Sequence, residues 1–179
     1  VGLDKLKDAL IDGKPDGLNS LYSGAKTIYP IISKLPEPAR TSWFKFDHFY
    51  SDASYDASLP FLFSNHPKHI CDIGGNTGKF ALKCCRYEPN VHVTIFDLPE
   101  QCAIAKKNAD EAGFKTRIDT CPLDLLNQTP LPKVSADIWW MSQFLDCFSE
   151  DQIVSILQRV RDAMNEKARI CILEPLIGE

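Results

Sequence analysis

Seven of the 179 residues are cysteine, yet none stands in a C-x-x-C pair. The odd number and the adjacency of Cys84 and Cys85 argue against a disulfide framework and give no zinc-ligand spacing. Reduced thiols and no metal site are therefore expected, with Cys71 and Cys171 packed in apolar runs as small hydrophobes. Basic charge is not in excess: 20 Lys and Arg against 24 Asp and Glu leave a net charge of −4. Such a chain has no field for a polyanion, so a small molecule is the expected partner and nucleic acid is not. Long hydrophobic runs are missing too, none approaching the roughly 20 residues of a membrane span. The amino end carries Asp4, Lys5, Lys7 and Asp8 where a secretory signal has its apolar run, which points to the cytoplasm.

What is present is an ordinary globular composition, 44% hydrophobic and 25% charged, enough for one sizeable domain with an appendage. The chain opens at Val1 without methionine and stops at Glu179 just after an apolar run that reads as a buried strand, so both ends read as cuts. Residues 1–67 read as a helical connector and lead-in: Leu3, Leu6 and Leu10 recur at helical spacing before Gly13, Pro15 and Gly17 interrupt them. Trp43, Phe44, Phe46, Phe49 and Tyr50 then form an aromatic surface expected to lie against something.

Residues 68–179 alternate short apolar runs with amphipathic stretches, the pattern of a doubly wound, mostly parallel α/β sheet. Strands are expected near 69–73, 91–96, 115–120, 137–142 and 169–174, and helices near 77–87, 100–112 and 150–165. Pro99 and Glu100 suit a helix start and Gly113 a stop, while Ser149 and Gln152 fit a capping box.

The first strand runs into Asp72-Ile73-Gly74-Gly75-Asn76-Thr77-Gly78, a sharp turn at the carboxyl edge where open α/β sheets bind ligands. Its spacing differs from the G-x-G-x-x-G of a pyrophosphate cradle, and an acidic residue just before the turn suits a cation and would repel phosphate. Nineteen residues beyond Gly78, the second strand delivers Asp97, placed to accept ribose hydroxyls. Asp124 follows the third strand and is placed for the adenine edge. A lone loop aspartate is ordinarily just solvated, but three at consecutive strand ends after a glycine turn point to a nucleoside ligand.

These residues resemble the plant caffeate and flavonoid O-methyltransferases, hydroxyindole O-methyltransferase and their bacterial relatives. Leu6 to Gly13 is similar to the segment joining that family's dimerisation and catalytic domains. Asp72 to Gly78 matches its D-x-G-G-x-x-G turn, Phe96-Asp97-Leu98-Pro99 its F-D-L-P, and Leu123-Asp124-Leu125 its G-D-[FM]-F. Trp140 to Phe148 corresponds to the strand and L-H-D-W turn, and Ile170 to Glu174 to V-x-V-x-E. The resemblance implies a Rossmann-like methyltransferase sheet lacking its carboxyl-terminal strands, and homodimerisation through a missing amino-terminal domain. It implies S-adenosylmethionine as cofactor, with S-adenosylhomocysteine as product and a small aromatic hydroxyl compound as acceptor. The cofactor contacts it implies are Asp72, Gly74, Gly75, Asn76, Gly78, Asp97, Leu98, Asp124, Leu125 and Ser142, with Phe148 in place of a tryptophan.

The catalytic histidine of L-H-D-W is here Asp146, in Leu145-Asp146-Cys147-Phe148, and Glu174 stands twenty-eight residues on, as the family's supporting glutamate does. A phenol titrates at about 10 and a free aspartate at about 3.9, so Asp146 is a weaker base than histidine. Three readings follow: burial beside Glu174 among Trp139, Trp140, Phe144 and Phe148 raises its pKa; the acceptor needs no strong base; or catalysis is lost while cofactor binding remains. His48 in the aromatic segment is a further candidate base, though a structural role suits it better.

Overall fold

A computed structural model describes residues 3–14, 16–24 and 28–175. Two compact units divide the chain, Val1–Phe49 and Tyr50–Glu179. In the first, a 3-10 turn (Leu3–Lys5) leads into α1 (Leu6–Asp12) and α2 (Asp16–Leu21), and a 3-10 stretch (Tyr29–Lys34) precedes the opening turns of α3 (Glu37–Leu62). Leu3, Leu10 and Ile11 are each at least 70% exposed. The aromatic segment is helical, but Phe46 and Phe49, one turn apart, are 63% and 75% exposed. The side chains of His48 and Tyr50 lie outside the described residues.

The second unit takes up the last turns of α3 and continues as β1 (His69–Ile73), α4 (Lys79–Tyr87), β2 (His92–Asp97), α5 (Pro99–Glu111) and β3 (Ile118–Pro122). After a long loop come β4 (Ile138–Ser142), a 3-10 turn (Leu145–Cys147), α6 (Glu150–Ala163) and β5 (Arg169–Leu173). All pairings are parallel and the strand order is β3-β2-β1-β4-β5, so the winding reverses between β1 and β4.

Local chemistry explains the boundaries. Pro99 opens α5, where a missing amide costs nothing, and Ser149 starts α6 with a capping box in which Gln152 Oε1 accepts the Ser149 amide at 3.0 Å. Strand β3 begins three residues later than expected. The amides of Arg117 and Ile118 both donate to the Phe114 carbonyl, at 2.9 and 3.0 Å, so residues 114–117 form a turn. The Arg117 guanidinium fastens that turn to the Cys85 and Pro89 carbonyls, both at 2.6 Å.

The sheet is covered on both faces. Ile70, Val93, Ile95 and Trp140 meet Leu62 of α3, Phe80 and Cys84 of α4 and Ala105 of α5 on one side. Cys71, Ile73, Phe96, Trp139 and Met141 meet Ile156 and Val160 of α6 on the other. Adjacent residues Trp139 and Trp140 thus serve opposite faces, as the two-residue period of a strand requires. All seven cysteines are free; Cys71 is fully buried, as expected, whereas Cys171 is only half buried. Strand β5 is correspondingly less buried than its sequence implies, with Ile172 48% exposed, because it has a partner on one side only among the described residues.

Trp139 is fully buried and stacks on Phe96 at 5.7 Å. Replacing it with alanine is expected to destabilise the fold by about 3–5 kcal/mol in urea titration, against less than about 0.5 kcal/mol for Val154→Ala on the exposed side of α6. Equal losses at both positions would contradict this core assignment.

Candidate functional site

The winding reverses between β1 and β4, and the crevice outside the carboxyl ends of the strands at such a switch point is where open α/β sheets bind ligands. The turn of residues 74–78 is closed by three fixed contacts. The Gly74 amide donates to the Phe96 carbonyl at 2.8 Å, the Gly78 amide to the Gly75 carbonyl at 2.8 Å, and the Asn108 side chain of α5 to the Thr77 carbonyl at 2.8 Å. Gly74 has φ of +71°, and a Cβ there would stand 2.3 Å from the Phe144 ring. A Cβ on Gly75 would stand 2.6 Å from Asp72 Oδ2. Neither position has room for a side chain, because Phe144 packs on Gly74, and Asp72 and Ile95 pack on Gly75.

Asp97 ties the parts together. Its Oδ2 accepts the Asn76 amide and its Oδ1 the Leu98 amide, each at 2.7 Å, and its carbonyl accepts the Leu123 amide at 2.8 Å. The carboxylate is thereby fixed at the end of β2, facing the turn. Asp124 is half buried and uses Oδ1 to accept the Leu126 amide at 2.8 Å. The expected cofactor residues Asp72, Gly74, Gly75, Asn76, Gly78, Asp97, Leu98, Asp124 and Ser142 thus lie at or next to the ends of β1 to β4. Leu125 differs, its side chain being buried in the core with Phe96 and Leu131.

Asp72 shares the face of Ile70 and lies between Ile95 and Trp140 in the strand register. It is 2% exposed, and its Oδ2 has no hydrogen-bond partner. Burial, and then the negative charge of Asp97, push its carboxyl up to about 8. Ser142 Oγ is likewise buried without a partner at the end of β4. Orphaned buried polar atoms beside a glycine turn fit a ligand that supplies a cation and hydroxyls. A pyrophosphate would meet the Asp97 carboxylate and, at Asp72, an acid with no cation beside it.

On the far wall the structure departs from expectation. Asp146 is exposed, and its Oδ1 lies 3.4 Å from the Cys147 thiol, so burial beside Glu174 is not its situation. Trp139 and Trp140 belong to the two core faces and do not enclose it. Glu174 instead turns Oε1 to the amides of Phe144 and Leu145, at 3.0 and 2.8 Å, while Oε2 is buried without a partner. It anchors the start of the 3-10 turn. Gln143, with φ of +47° and its amide on the Leu173 carbonyl at 2.9 Å, bends the chain so that Phe144 covers Gly74. The sequence offered no sign of Phe144 as a wall of the turn, because that contact depends on Gln143 taking a left-handed conformation.

Comparison with known proteins follows this geometry. Residues 58–179 match the O-methyltransferase domain family, and the chain belongs to that family. Over 112 residues it is 33% identical to 3-hydroxy-5-methyl-1-naphthoate 3-O-methyltransferase of Streptomyces sahachiroi, covering 63% of this chain and 32% of that protein. Over 113 residues it is 30% identical to mouse acetylserotonin O-methyltransferase, covering 61% and 28%. The fold is similar to that of the mitomycin 7-O-methyltransferase, with TM-score 0.76, 20% identity and coverage of 99% of this chain and 50% of the other. Human N-acetylserotonin methyltransferase in complex with SAM gives TM-score 0.74 at 22% identity, covering 96% and 48%. The matches thus span about a third of these curated relatives and about half of these solved chains.

Two outcomes test the site. Gly74→Ala is expected to cost at least about 2 kcal/mol in urea unfolding, from a left-handed φ and a ring clash, and adding Phe144→Ala to recover part of it. A double variant no more stable than the single would remove the clash from the account. For Asp72, a folded-state value of about 8 against an ordinary 3.8 means the folded protein keeps a proton that the unfolded chain gives up. Its contribution to stability is full below about pH 4 and is lost as pH rises toward 8. Thermal melts of Asp72→Asn should therefore gain on the parent protein across that window; parallel curves would place the carboxylate in a compensated setting.

Proposed function

We propose that this chain is the cofactor-binding part of an S-adenosylmethionine-dependent O-methyltransferase that acts on a small aromatic hydroxyl compound. The observation that carries the proposal is the switch-point crevice. A backbone-lined turn there sits between a buried, unpartnered Asp72 and a fixed Asp97. Family membership and the aromatic acceptors named for the naphthoate and acetylserotonin relatives support it.

When bound, S-adenosylmethionine supplies a methyl group on a sulfonium leaving group. Asp97 holds the ribose hydroxyls, because its carboxylate is fixed by two amides at the end of β2. Asp72 faces the positive charge and Ser142 offers a hydroxyl without a partner. Gly74, Gly75, Asn76 and Gly78 form the turn that meets the cofactor, and Leu98 and Asp124 border the adenine. Phe144, with Phe148 edge-on at 4.9 Å, excludes water from the Gly74 side. An acceptor hydroxyl that needs no strong base suits the exposed Asp146, which would take its proton, and Glu174 positions the turn that carries Asp146 through the Phe144 and Leu145 amides.

An exposed aspartate in place of a histidine favours one second reading, a cofactor-binding dimeric scaffold without catalysis. In either reading residues 1–67 connect to a dimerisation domain and 68–179 bind the cofactor in a cytoplasmic homodimer with no nucleic-acid or membrane partner. The negative charge balance and the exposed Leu3, Leu6, Leu10 and Ile11 support that arrangement.

The test is a panel of small phenols and hydroxyquinones with isotope-labelled cofactor. Methylated product is expected, lost by at least about a hundredfold in Asp146→Ala, and Asp97→Ala should weaken cofactor binding by roughly 10- to 100-fold, the weight of charge-assisted hydrogen bonds. Cofactor binding with no product from any acceptor favours the scaffold reading, and no cofactor binding at all rejects both.

A further inference from the structure

Asp72 is placed where a carboxylate is badly served. Its neighbours across the register are Ile95 and Trp140, and Oδ2 meets no donor. The titratable groups around it come from each adjoining element: Asp97 from the end of β2, Cys84 from α4 and Cys71 from β1 itself, while β4 contributes Trp140 without charge. Burial, and after it the charge of Asp72, pushes both thiols up, so neither brings an ion to the cluster. Among the described residues, none of the groups acting on Asp72 is a cation. An uncompensated carboxylate is costly in such surroundings, whereas a neutral carboxylic acid is tolerated.

Resting on the cofactor reading above, we propose that Asp72 is the cation-sensing residue of the turn. It is a neutral acid when the turn is empty of ligand, and it yields its proton to solvent as a positively charged group of the cofactor docks against it. The O–H bond breaks, the proton passes to buffer, and the resulting carboxylate pairs with the incoming cation. Nothing is oxidised or reduced. Binding and deprotonation become one event, so the site favours a cationic ligand over a neutral one of the same shape, and affinity increases with pH. The cofactor has two cations to offer, its ammonium and its sulfonium; the demethylated product keeps only the first.

Calorimetric titration separates these cases. The protein is titrated with S-adenosylmethionine and with S-adenosylhomocysteine, in phosphate and in Tris, between about pH 5.5 and 7, below the usual α-amino titration near 8. Binding heat is expected to differ between the buffers by close to one released proton, and the association constant to increase about tenfold per pH unit. Asp72→Asn, shown to be folded by its thermal melt, should bind with a flat pH profile and buffer-independent heat. Equal proton release with both ligands assigns the ammonium, and release with S-adenosylmethionine alone assigns the sulfonium; either supports the proposal. Tight binding with identical heats in the two buffers overturns it and leaves the cofactor reading standing. Buffer-dependent heat that survives in Asp72→Asn also overturns it by placing the proton elsewhere. No binding of either ligand removes both the proposal and the cofactor reading.

Discussion

Asp97 is the joint through which three segments of the crevice are held. Its side chain fixes the Asn76 and Leu98 amides and its carbonyl fixes the Leu123 amide, so the glycine turn, the start of α5 and the loop after β3 are placed by one residue. That arrangement becomes possible only because β1 and β2 run parallel and in register, with Ile73 opposite Phe96, so that their ends emerge side by side. A carboxylate bonded to two amides is itself well stabilised. Its negative charge then falls on Asp72, which has no such donors at Oδ2. The two acids, alike in chemistry, are thereby given different characters: one fixed by two amides, the other buried with Oδ2 unpartnered.

Much of this was legible in the sequence, for reasons that lie in particular residues. The apolar runs at 69–73 and 137–142 could be read as strands because both faces of β1 and β4 are buried, which forces hydrophobic side chains on both parities. Pro99, Gly113 and Ser149 marked helix ends because each has a backbone reason to stand there. The position of Asp97 followed from counting along a strand. What stayed hidden depends on tertiary contacts. The turn at Phe114–Arg117 is held by carbonyls from the end of α4 and the loop after it, thirty residues away in sequence, and no local signal shows that.

The far wall was the least legible part. Of the three readings of Asp146, the one that buries it beside Glu174 does not hold: Glu174 spends Oε1 on the Phe144 and Leu145 amides and Asp146 faces solvent. Glu174 is better understood as the residue that sets the 3-10 turn, and Phe144 as the consequence: a ring lowered onto Gly74 by the left-handed Gln143. The glycine-turn side of the crevice is built from fixed backbone contacts, while Asp146 rests on a short exposed turn.

The central claim is that the crevice selects a cationic nucleoside over a pyrophosphate dinucleotide. Competition measured by ligand-observed NMR addresses it directly, with S-adenosylmethionine and NAD offered together to the protein. The account predicts that S-adenosylmethionine shows saturation transfer, is displaced by S-adenosylhomocysteine and is unaffected by a large excess of NAD. Saturation transfer to NAD that S-adenosylmethionine fails to displace would contradict it.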